Sequence, residues 1–513
     1  MPVERRPPMP RLPPFALAAP GKRRNHGLYL FLFFLFFAAP LFAIHLPILD
    51  LPFFWDEQGQ FIPTALDIFR HGWWIAHSTI PNVHPPGVEA YLALWYKAFG
   101  FAIPITRVAM LVVAGAGLLA TFLLAIELSR GTRGAPAFLP PLLLLASPLF
   151  FTQSMMAQLD MPAMVFTLLA LLLFLKRQYA LSALASIVLV LLKETGIVAP
   201  FVFFLILAFQ KRWRRAALFV LPAIALLAWL VVLHRATGYW LGNPGFAHYN
   251  VEYSLNPVRM ALSFARRIYY LFFAEFRWIG TIAILYAARR FGAFRDAAWR
   301  VTIAVAALTV VLVSVLGGAE LERYLLPVLP IFYTAVAVSF TFLRRWIAIG
   351  ATTALAAGLV VSFFWNPPYP FPYENNLAMV DFVRLEQAAA GFAQRNLQNR
   401  IIATAWPLSG ALKDPDYGYV QHPLKVIEAH DFHPSTIRAL PHDRYDALIT
   451  YTRTWAPDEG VVAIPVVRWF LIRYYDWQPE ITPEDCWALG LTEAASWQRH
   501  GLQTTIYIRR EVP

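Results

Sequence analysis

The chain contains little cysteine and little charge. Its single cysteine, Cys486, excludes an intrachain disulfide framework and a metal site built from several cysteines. Only 14% of the 513 residues are charged, whereas 58% are hydrophobic and the mean hydropathy is +0.51. A soluble protein of this length needs more polar surface, so the composition predicts an integral membrane protein.

The sequence also lacks a GxGxxG motif, a P-loop and any internal repeat. It therefore gives no sign of a nucleotide cofactor. The net charge of +12 is compatible with nucleic-acid binding, but many of the Lys and Arg residues lie in short loops between apolar runs. We therefore expect membrane lipids, and no nucleic acid, as partners.

Apolar runs long enough to cross about 30 Å of hydrocarbon recur along the first two thirds of the chain. They predict an all-α polytopic membrane protein with about eleven spans. The predicted spans are 28–48, 105–128, 136–154, 161–176, 180–192, 195–210, 216–234, 267–288, 300–317, 325–343 and 346–364. The short fifth and sixth spans meet at Lys193-Glu194 and could be merged or broken helices.

The loops between these spans alternate in charge. Basic clusters occupy every second connection, and the remaining connections are acidic or mixed, with Asp56, Glu57, Asp160, Glu194, Glu320 and Glu322 among their residues. Because cytoplasmic loops carry the excess of Lys and Arg, this alternation predicts a cytoplasmic N-terminus and acidic loops outside the cytoplasm. We expect the protein in a bacterial inner (plasma) membrane.

Three regions follow from these patterns. Residues 1–27 are basic and Pro-rich and are expected to form a disordered cytoplasmic tail. Residues 28–365 form the transmembrane part, with a long outer loop at 49–104 that holds two amphipathic helices. Residues 366–513 are predicted to form an extracytoplasmic soluble α/β domain, with a helix at 377–398 and strands at 399–406, 424–429, 446–452 and 504–510.

Polar residues on the predicted outer side gather at the ends of spans. Helix ends that meet on one membrane face can surround a single cavity with carboxylates and cations. The candidates are Asp56, Glu57, His84, Asp160, Lys193, Glu194 and Arg323.

These residue types suit glycosyl transfer from a lipid phosphate. Asp56 would act as the general base for an acceptor hydroxyl, with Glu57 and Asp160 as further catalytic carboxylates. Lys193 and Arg323 would stabilise the negative charge of the leaving phosphate. His84 and Glu194 would orient the acceptor or a metal, and the metal site itself stays undetermined; a divalent metal ion is one open alternative.

Each candidate also has a purely structural interpretation. Asp56 and Asp160 could be helix N-caps, and His84 before two prolines could only shape a turn. Glu57 could be simply solvated. Lys193 and Glu194 could close a hairpin as an ion pair, and Arg323 could anchor at the headgroup level.

Five segments in this order resemble the membrane glycosyltransferases of the GT-C fold. They are WDEQGQFIPTALDIFRHG, NVHPPG, LDMPAMVFTLLAL, LKETG and ERYLLPVLP. The resemblance covers about residues 28–345. It is strongest to the protein O-mannosyltransferase and aminoarabinose (lipid A) transferase group, described as dolichyl-phosphate-mannose-protein mannosyltransferase-like.

The resemblance implies a catalytic carboxylate at Asp56, a supporting aspartate at Asp160, and an inverting transfer from a polyprenyl-phosphate sugar. The acceptor would be a protein, a lipid or a glycan. Aminoarabinose transferases tend to have an acidic-Lys-Pro sequence where this chain has Val83-His84-Pro85. This departure argues against aminoarabinose specificity and against a metal carboxylate at position 83.

Two other functions remain as alternatives. A polytopic lipid or solute transporter or flippase would share the spans, but would place ionisable residues deep in helices or show repeat symmetry. A non-catalytic assembly protein would have no cavity at which Asp56, Asp160 and Lys193 converge.

Overall fold

The computed structural model describes residues 26–132, 134–316, 321–441, 444–455, 460–475 and 477–510. Almost all of the tail expected at 1–27 lies outside these ranges, as does Glu320.

In the described part of the first 365 residues, the regular secondary structure is helical, apart from one isolated β-bridge between Asn82 and Gly242. The helices are α1 (His26–His45), α2 (Ile62–His71), α3 (Gly87–Phe99), α4 (Ile103–Leu128), α5 (Leu139–Leu145), α6 (Pro148–Met155), α7 (Asp160–Leu175), α8 (Tyr179–Leu192), α9 (Val198–Phe209), α10 (Trp213–Ala216), α11 (Leu221–Thr237), α12 (Pro244–Ala247), α13 (Pro257–Phe272), α14 (Trp278–Phe291), α15 (Ala297–Leu316), α16 (Leu329–Phe340) and α17 (Arg345–Val361).

Four of the described helical segments are long and apolar enough to cross a membrane by themselves. They are Gly27–Ile48, Ile103–Leu128, Trp213–Thr237 and Ala297–Leu316. Helices α6 and α7 make a fifth candidate as a pair bent by 108° at a short break. Four further apolar segments are shorter: Tyr179–Leu192, Glu194–Phe209, Leu329–Phe340 and Arg345–Val361. An integral membrane protein is therefore confirmed.

Two predicted spans are wrong as continuous helices. The run at 267–288 is broken between α13 and α14, where the buried Arg277 donates through Nε to the carbonyl of Tyr270 at 3.0 Å and through Nη1 to Glu275 at 2.7 Å. The run at 136–154 is divided into α5 and α6, because Pro148 cannot donate the backbone hydrogen bond that a continuous helix requires. A mean hydropathy taken over a window of residues does not detect either break.

The C-terminal part contains a five-stranded mixed sheet. Its elements are α18 (Ala378–Asn396), β1 (Ile402–Ala405), α19 (Leu408–Lys413), β2 (Val426–Ala429), α20 (Pro434–Ala439), β3 (Ala447–Tyr451), α21 (Pro465–Tyr475), α22 (Pro483–Ala488), β4 (Leu491–Arg499) and β5 (Leu502–Arg509).

The strand order is β2-β1-β3-β5-β4. Strand β1 pairs in parallel with β2 and β3, whereas β5 runs antiparallel to β3 and β4. The four predicted strands overlap β1, β2, β3 and β5. Strand β4 was not predicted, because it is a largely exposed edge strand of mixed composition that depends on its hairpin with β5.

The region around the sheet packs directly on the segment 49–104, which is predicted to be the first outer loop. The backbone N–H of Phe53 donates to the carbonyl of Tyr417 at 3.2 Å, and the hydroxyl of Tyr419 donates to the carbonyl of Phe53 at 3.0 Å. The rings of Trp55 and Trp406 meet edge to face with centroids 5.2 Å apart. The segment that carries Asp56 is therefore held between the membrane helices and the sheet region.

Candidate active site

Five charged residues reach one point from breaks and ends of different helices. Asp56 precedes the π-helical turn Glu57–Phe61, and Asp160 begins α7 at the sharp bend after α6. Lys193 lies in the break between α8 and α9. Arg323 and Glu374 each lie in a short 3-10 turn, Glu322–Leu325 and Tyr373–Asn375. Irregular backbone at these points frees the side chains to converge.

Arg323 is the centre of this network. Its Nη2 donates to Oδ2 of Asp56 at 2.5 Å, and its Nη1 donates to both oxygens of Glu374 at 3.0 and 2.9 Å. Its Nε lies 3.2 Å from Oδ2 of Asp160. The other oxygen of Asp160 accepts a hydrogen bond from Nζ of Lys193. Two cations therefore hold three carboxylates in one continuous chain of contacts, which we call the Arg323 network.

Asp56 is the member of the Arg323 network that solvent reaches most easily. Its side chain is 17% exposed, against 4–8% for those of Asp160, Glu374, Arg323 and Lys193. A group that takes a proton from an incoming molecule must be accessible, and the groups that hold it in place need not be.

Tyr324 covers the cationic side of the network. Nζ of Lys193 lies 4.1 Å from the centroid of its ring, and the guanidinium carbon of Arg323 lies 5.7 Å from it. The guanidinium carbon of Arg267 lies at 5.6 Å. The ring face attracts positive charge and helps to keep the cations together.

Glu374 is the network residue that the sequence analysis missed. Burial raises its pKa to about 7, against the lowering effect of Arg323, and its oxygen Oε2 lies 3.5 Å from Nε2 of Gln158. A signal was present, since Glu374 lies in WNPPYPFPYENN directly after the last apolar run, on the same predicted side as Asp56. The sequence analysis assigned this segment to the start of the predicted C-terminal domain and gave Glu374 no role in the site.

Glu57 lies outside this network, although it follows Asp56 in the sequence. Arg107 donates to Oε1 of Glu57 at 2.5 Å and to Oε2 at 3.1 Å. The backbone N–H groups of Ala157 and Phe54 donate to the same two oxygens at 2.7 and 2.8 Å. Both oxygens are fully used and the side chain is completely buried, so Glu57 cannot be the solvated residue of the alternative interpretation.

His84 and Glu194 form a second pair, with Nδ1 of His84 2.8 Å from Oε2 of Glu194. Lys193 has an extended backbone, with φ −155° and ψ 125°, so its side chain and that of Glu194 point to opposite sides. One points into the Arg323 network and the other to His84. Among the described residues, Lys193 and Glu194 therefore form ion pairs with other partners and do not close a hairpin with each other.

Metal ligands do not gather at any of these positions. Within the described ranges, no group of three or more His, Cys, Asp or Glu side chains is arranged to hold a metal ion. Each carboxylate of the Arg323 network faces a cation instead. In the described part of the chain, these residues therefore do not fit a metal site.

Comparison with known proteins agrees with this architecture. The family model of glycosyltransferase family 87 matches residues 82–315. The crystal structure of ArnT from Cupriavidus metallidurans bound to undecaprenyl phosphate is similar, with 15% sequence identity, a TM-score of 0.51, and coverage of 94% of this chain and 98% of that chain. The apo structure of the same ArnT gives 16% identity and a TM-score of 0.53 at the same coverage. No curated protein matches the sequence.

The likeness to ArnT extends over nearly the whole of both chains, including the sheet region, and shows a common fold. The match to family 87 is independent of it and covers the segment that holds His84, Asp160, Lys193 and Glu194. Together the two findings confirm the resemblance of this chain to the membrane glycosyltransferases of the GT-C fold.

Proposed function

We propose that this protein transfers a sugar from a polyprenyl-phosphate donor to an acceptor on the extracytoplasmic side of the membrane, with Asp56 as the general base. The observation that carries this proposal is the exposure of Asp56 at the edge of the otherwise buried Arg323 network. The undecaprenyl phosphate bound by ArnT supports the class of donor.

The reaction follows from the charges at the site. An acceptor hydroxyl gives its proton to Asp56, and its oxygen attacks the anomeric carbon of the donor sugar from the face opposite the phosphate. The bond between the anomeric carbon and the phosphate oxygen breaks, and the electron pair leaves with the polyprenyl phosphate. Inversion at the anomeric carbon is the expected stereochemistry.

Lys193 and Arg323 would stabilise the charge that develops on the leaving phosphate. Both cations already contact carboxylates, so they are ordered before the donor binds. Proton uptake by Glu374, whose pKa is about 7, would remove one of three competing negative charges and leave more of the field of Arg323 for the phosphate.

The remaining candidates take supporting roles in this proposal. Asp160 positions Lys193 and Arg323, both of which it contacts. Glu57, held by Arg107, positions the turn that carries Asp56 and does not itself react. His84 and Glu194 orient the acceptor. Since the site residues that the structure describes do not fit a metal, no step of this mechanism uses one.

The finer topology belongs to the same proposal. Eleven spans with a cytoplasmic N-terminus would place residues 366–513 outside the cytoplasm as an α/β domain that recognises the acceptor, in a bacterial inner membrane. Asp56, Asp160, Lys193, Arg323 and Glu374 are all assigned to the outer side by the charges of the loops. Their convergence in one network supports that assignment, and it argues against the assembly-protein alternative.

The test uses purified protein in lipid nanodiscs with a panel of radiolabelled polyprenyl-phosphate sugars. We expect wild type to release label from the lipid and Asp56→Asn to lose at least about 100-fold in rate. Asp50→Asn is the matched control, because Asp50 lies in the same loop and its side chain is 75% exposed. Equal rates in wild type and Asp56→Asn would overturn the assignment of the base.

A further inference from the structure

Helix α21 exposes an apolar surface in the part of the chain predicted to be soluble. None of its eleven residues is buried. Val467, Leu471, Tyr474 and Tyr475 are half-buried against the protein. The opposite side carries Val466, Trp469 and Ile472, which are 65%, 54% and 51% exposed.

The exposed side also carries charge. Arg468 and Arg473 are exposed, and by helical spacing Arg468 lies beside Ile472 and Arg473 lies between Trp469 and Val466. All eleven residues of the helix are described, and its sequence, PVVRWFLIRYY, contains no acidic residue. Tryptophan, aliphatic side chains and arginine on one helix face are typical of helices that lie in a membrane interface, where arginine reaches the lipid phosphates.

Both ends of α21 are tied to segments that border the membrane helices. Before it, the N–H of Val461 donates to the carbonyl of Pro368 at 2.9 Å, and Pro368 lies just after the end of α17 and the exposed Trp365. At its C-terminal end, the carbonyl of Tyr474 accepts from Nε of Arg259 at 2.6 Å.

The second tether joins the C-terminal end of α21 to the start of α13 and the loop before it. Arg259 lies in the first turn of α13, and the hydroxyl of Tyr253, in the loop before α13, also donates to the carbonyl of Tyr474 at 3.2 Å. That loop exposes aromatic side chains of its own, Tyr239 and Trp240. Aromatic residues of this kind collect at the boundary between hydrocarbon and headgroups.

We infer that α21 lies on the bilayer surface, with Val466, Trp469 and Ile472 in the headgroup–acyl boundary and Arg468 and Arg473 on lipid phosphates. The occupant of this surface is the lipid of the same membrane that the helices cross. The sheet region is then held against the membrane at α21 as well as by its contacts with the first outer loop. This inference does not depend on glycosyl transfer.

The test places one spin label on α21 in the full-length protein. The native Cys486 can stay, because it is completely buried and burial raises its pKa to about 12. Trp469→Cys is labelled in nanodiscs that contain anionic phospholipid. Collision rates with oxygen, which concentrates in lipid, and with a water-soluble nickel chelate are then measured by electron paramagnetic resonance.

Two reference sites bracket the result. Leu227→Cys is the lipid reference, because Leu227 is 56% exposed on the candidate span that contains α11. Glu484→Cys is the water reference, because Glu484 is exposed on α22 in the same sheet region as α21. We expect the oxygen-to-nickel ratio at Trp469→Cys to lie several-fold above that at Glu484→Cys and toward that at Leu227→Cys. A ratio equal to that at Glu484→Cys, found both here and at a second position on the same face, would overturn the inference.

A second label position is needed because Trp469→Cys removes a side chain that is proposed to hold the helix on the membrane. Val466→Cys removes a smaller side chain from the same face. A lipid-like ratio there supports the inference even if Trp469→Cys detaches the helix, and an aqueous ratio at both positions refutes it.

Discussion

Arg107 and Glu57 form a bidentate ion pair in which both side chains are almost completely buried. Arg107 also donates to the carbonyls of Leu51 and Pro52, each at 3.0 Å. The pair thus fixes the chain on the N-terminal side of Asp56. Two adjacent acidic residues, Asp56 and Glu57, have opposite environments, and their substitutions should separate activity from stability.

Glu57→Ala should destabilise the protein by about 3–5 kcal/mol, because it leaves the guanidinium of Arg107 buried without its carboxylate. The free energy of unfolding in mixed detergent micelles measures this loss. Glu57→Leu combined with Arg107→Met should be less harmful than either single change. A loss below about 1 kcal/mol in Glu57→Ala would show that the pair does not hold this segment.

Burial raises the pKa of Glu89 from 4.5 to about 7, and its Oε2 has no hydrogen-bond partner among the described residues. Backbone hydrogen bonding and the neighbouring His84 lower the pKa of Glu89 and only partly offset the effect of burial. Between these pH values the folded protein keeps a proton that the unfolded chain releases. The contribution of this proton to the free energy of unfolding is therefore complete below about pH 4.5. It is lost as the pH rises through 7, by up to about 3 kcal/mol.

Glu89→Gln should remove this part of the pH dependence, and the free energy of unfolding measured from pH 5 to 8 should become flatter. Glu484→Gln, at an exposed position, is the control and should keep the wild-type slope. The explanation fails if Glu89→Gln and wild type lose stability in parallel over this range.

Arg323→Lys should lower kcat by about 100-fold although the positive charge is retained. An ammonium group cannot match the fork of the guanidinium, which contacts Asp56, Asp160 and Glu374 at once. Steady-state kinetics with the donor found in the panel would measure kcat and KM separately. Arg344→Lys, at an exposed position in a predicted cytoplasmic loop, should leave both unchanged. A normal kcat in Arg323→Lys would mean that charge alone suffices.

The sequence predicted the fold where one segment carries its own signal. Hydropathy over 105–128 coincides with α4, and the apolar strands β1 and β3 coincide with two predicted strands. It failed where structure depends on distant partners. The break before α14 needs the contacts of Arg277 with Tyr270 and Glu275, which hydropathy does not encode.

The same distinction applies to the site. Asp56, Asp160, Lys193 and Arg323 could be chosen because each is a charge at the end of an apolar run. Their grouping in one network could not be derived from spacing, and Glu374 joins it only through a contact with Arg323, 51 residues away. Glu57 looked equivalent to Asp56 until its partner Arg107, 50 residues away, was known.

Gly418 tests whether the sheet region shapes the active site. It has φ +89°, and a Cβ there would come within 2.4 Å of Cδ1 of Ile103 at the start of α4. Its neighbour Tyr417 accepts the hydrogen bond from Phe53, three residues before Asp56. Ile103 can relieve part of this contact, because Cδ1 is the far end of a half-buried side chain. We expect the rest of the strain to displace the turn at Tyr417 and, through its hydrogen bond with Phe53, to move Asp56.

Gly490→Ala is the matched control, since Gly490 also has a positive φ, +76°, but no atom lies within 4 Å of the added Cβ. Both variants should lose about 1 kcal/mol of stability from the left-handed backbone. Only Gly418→Ala should also lower kcat, by about tenfold or more, because a displacement near 1 Å at a catalytic group is costly. Equal kcat values in the two variants would show that the sheet region holds the first outer loop without influencing catalysis.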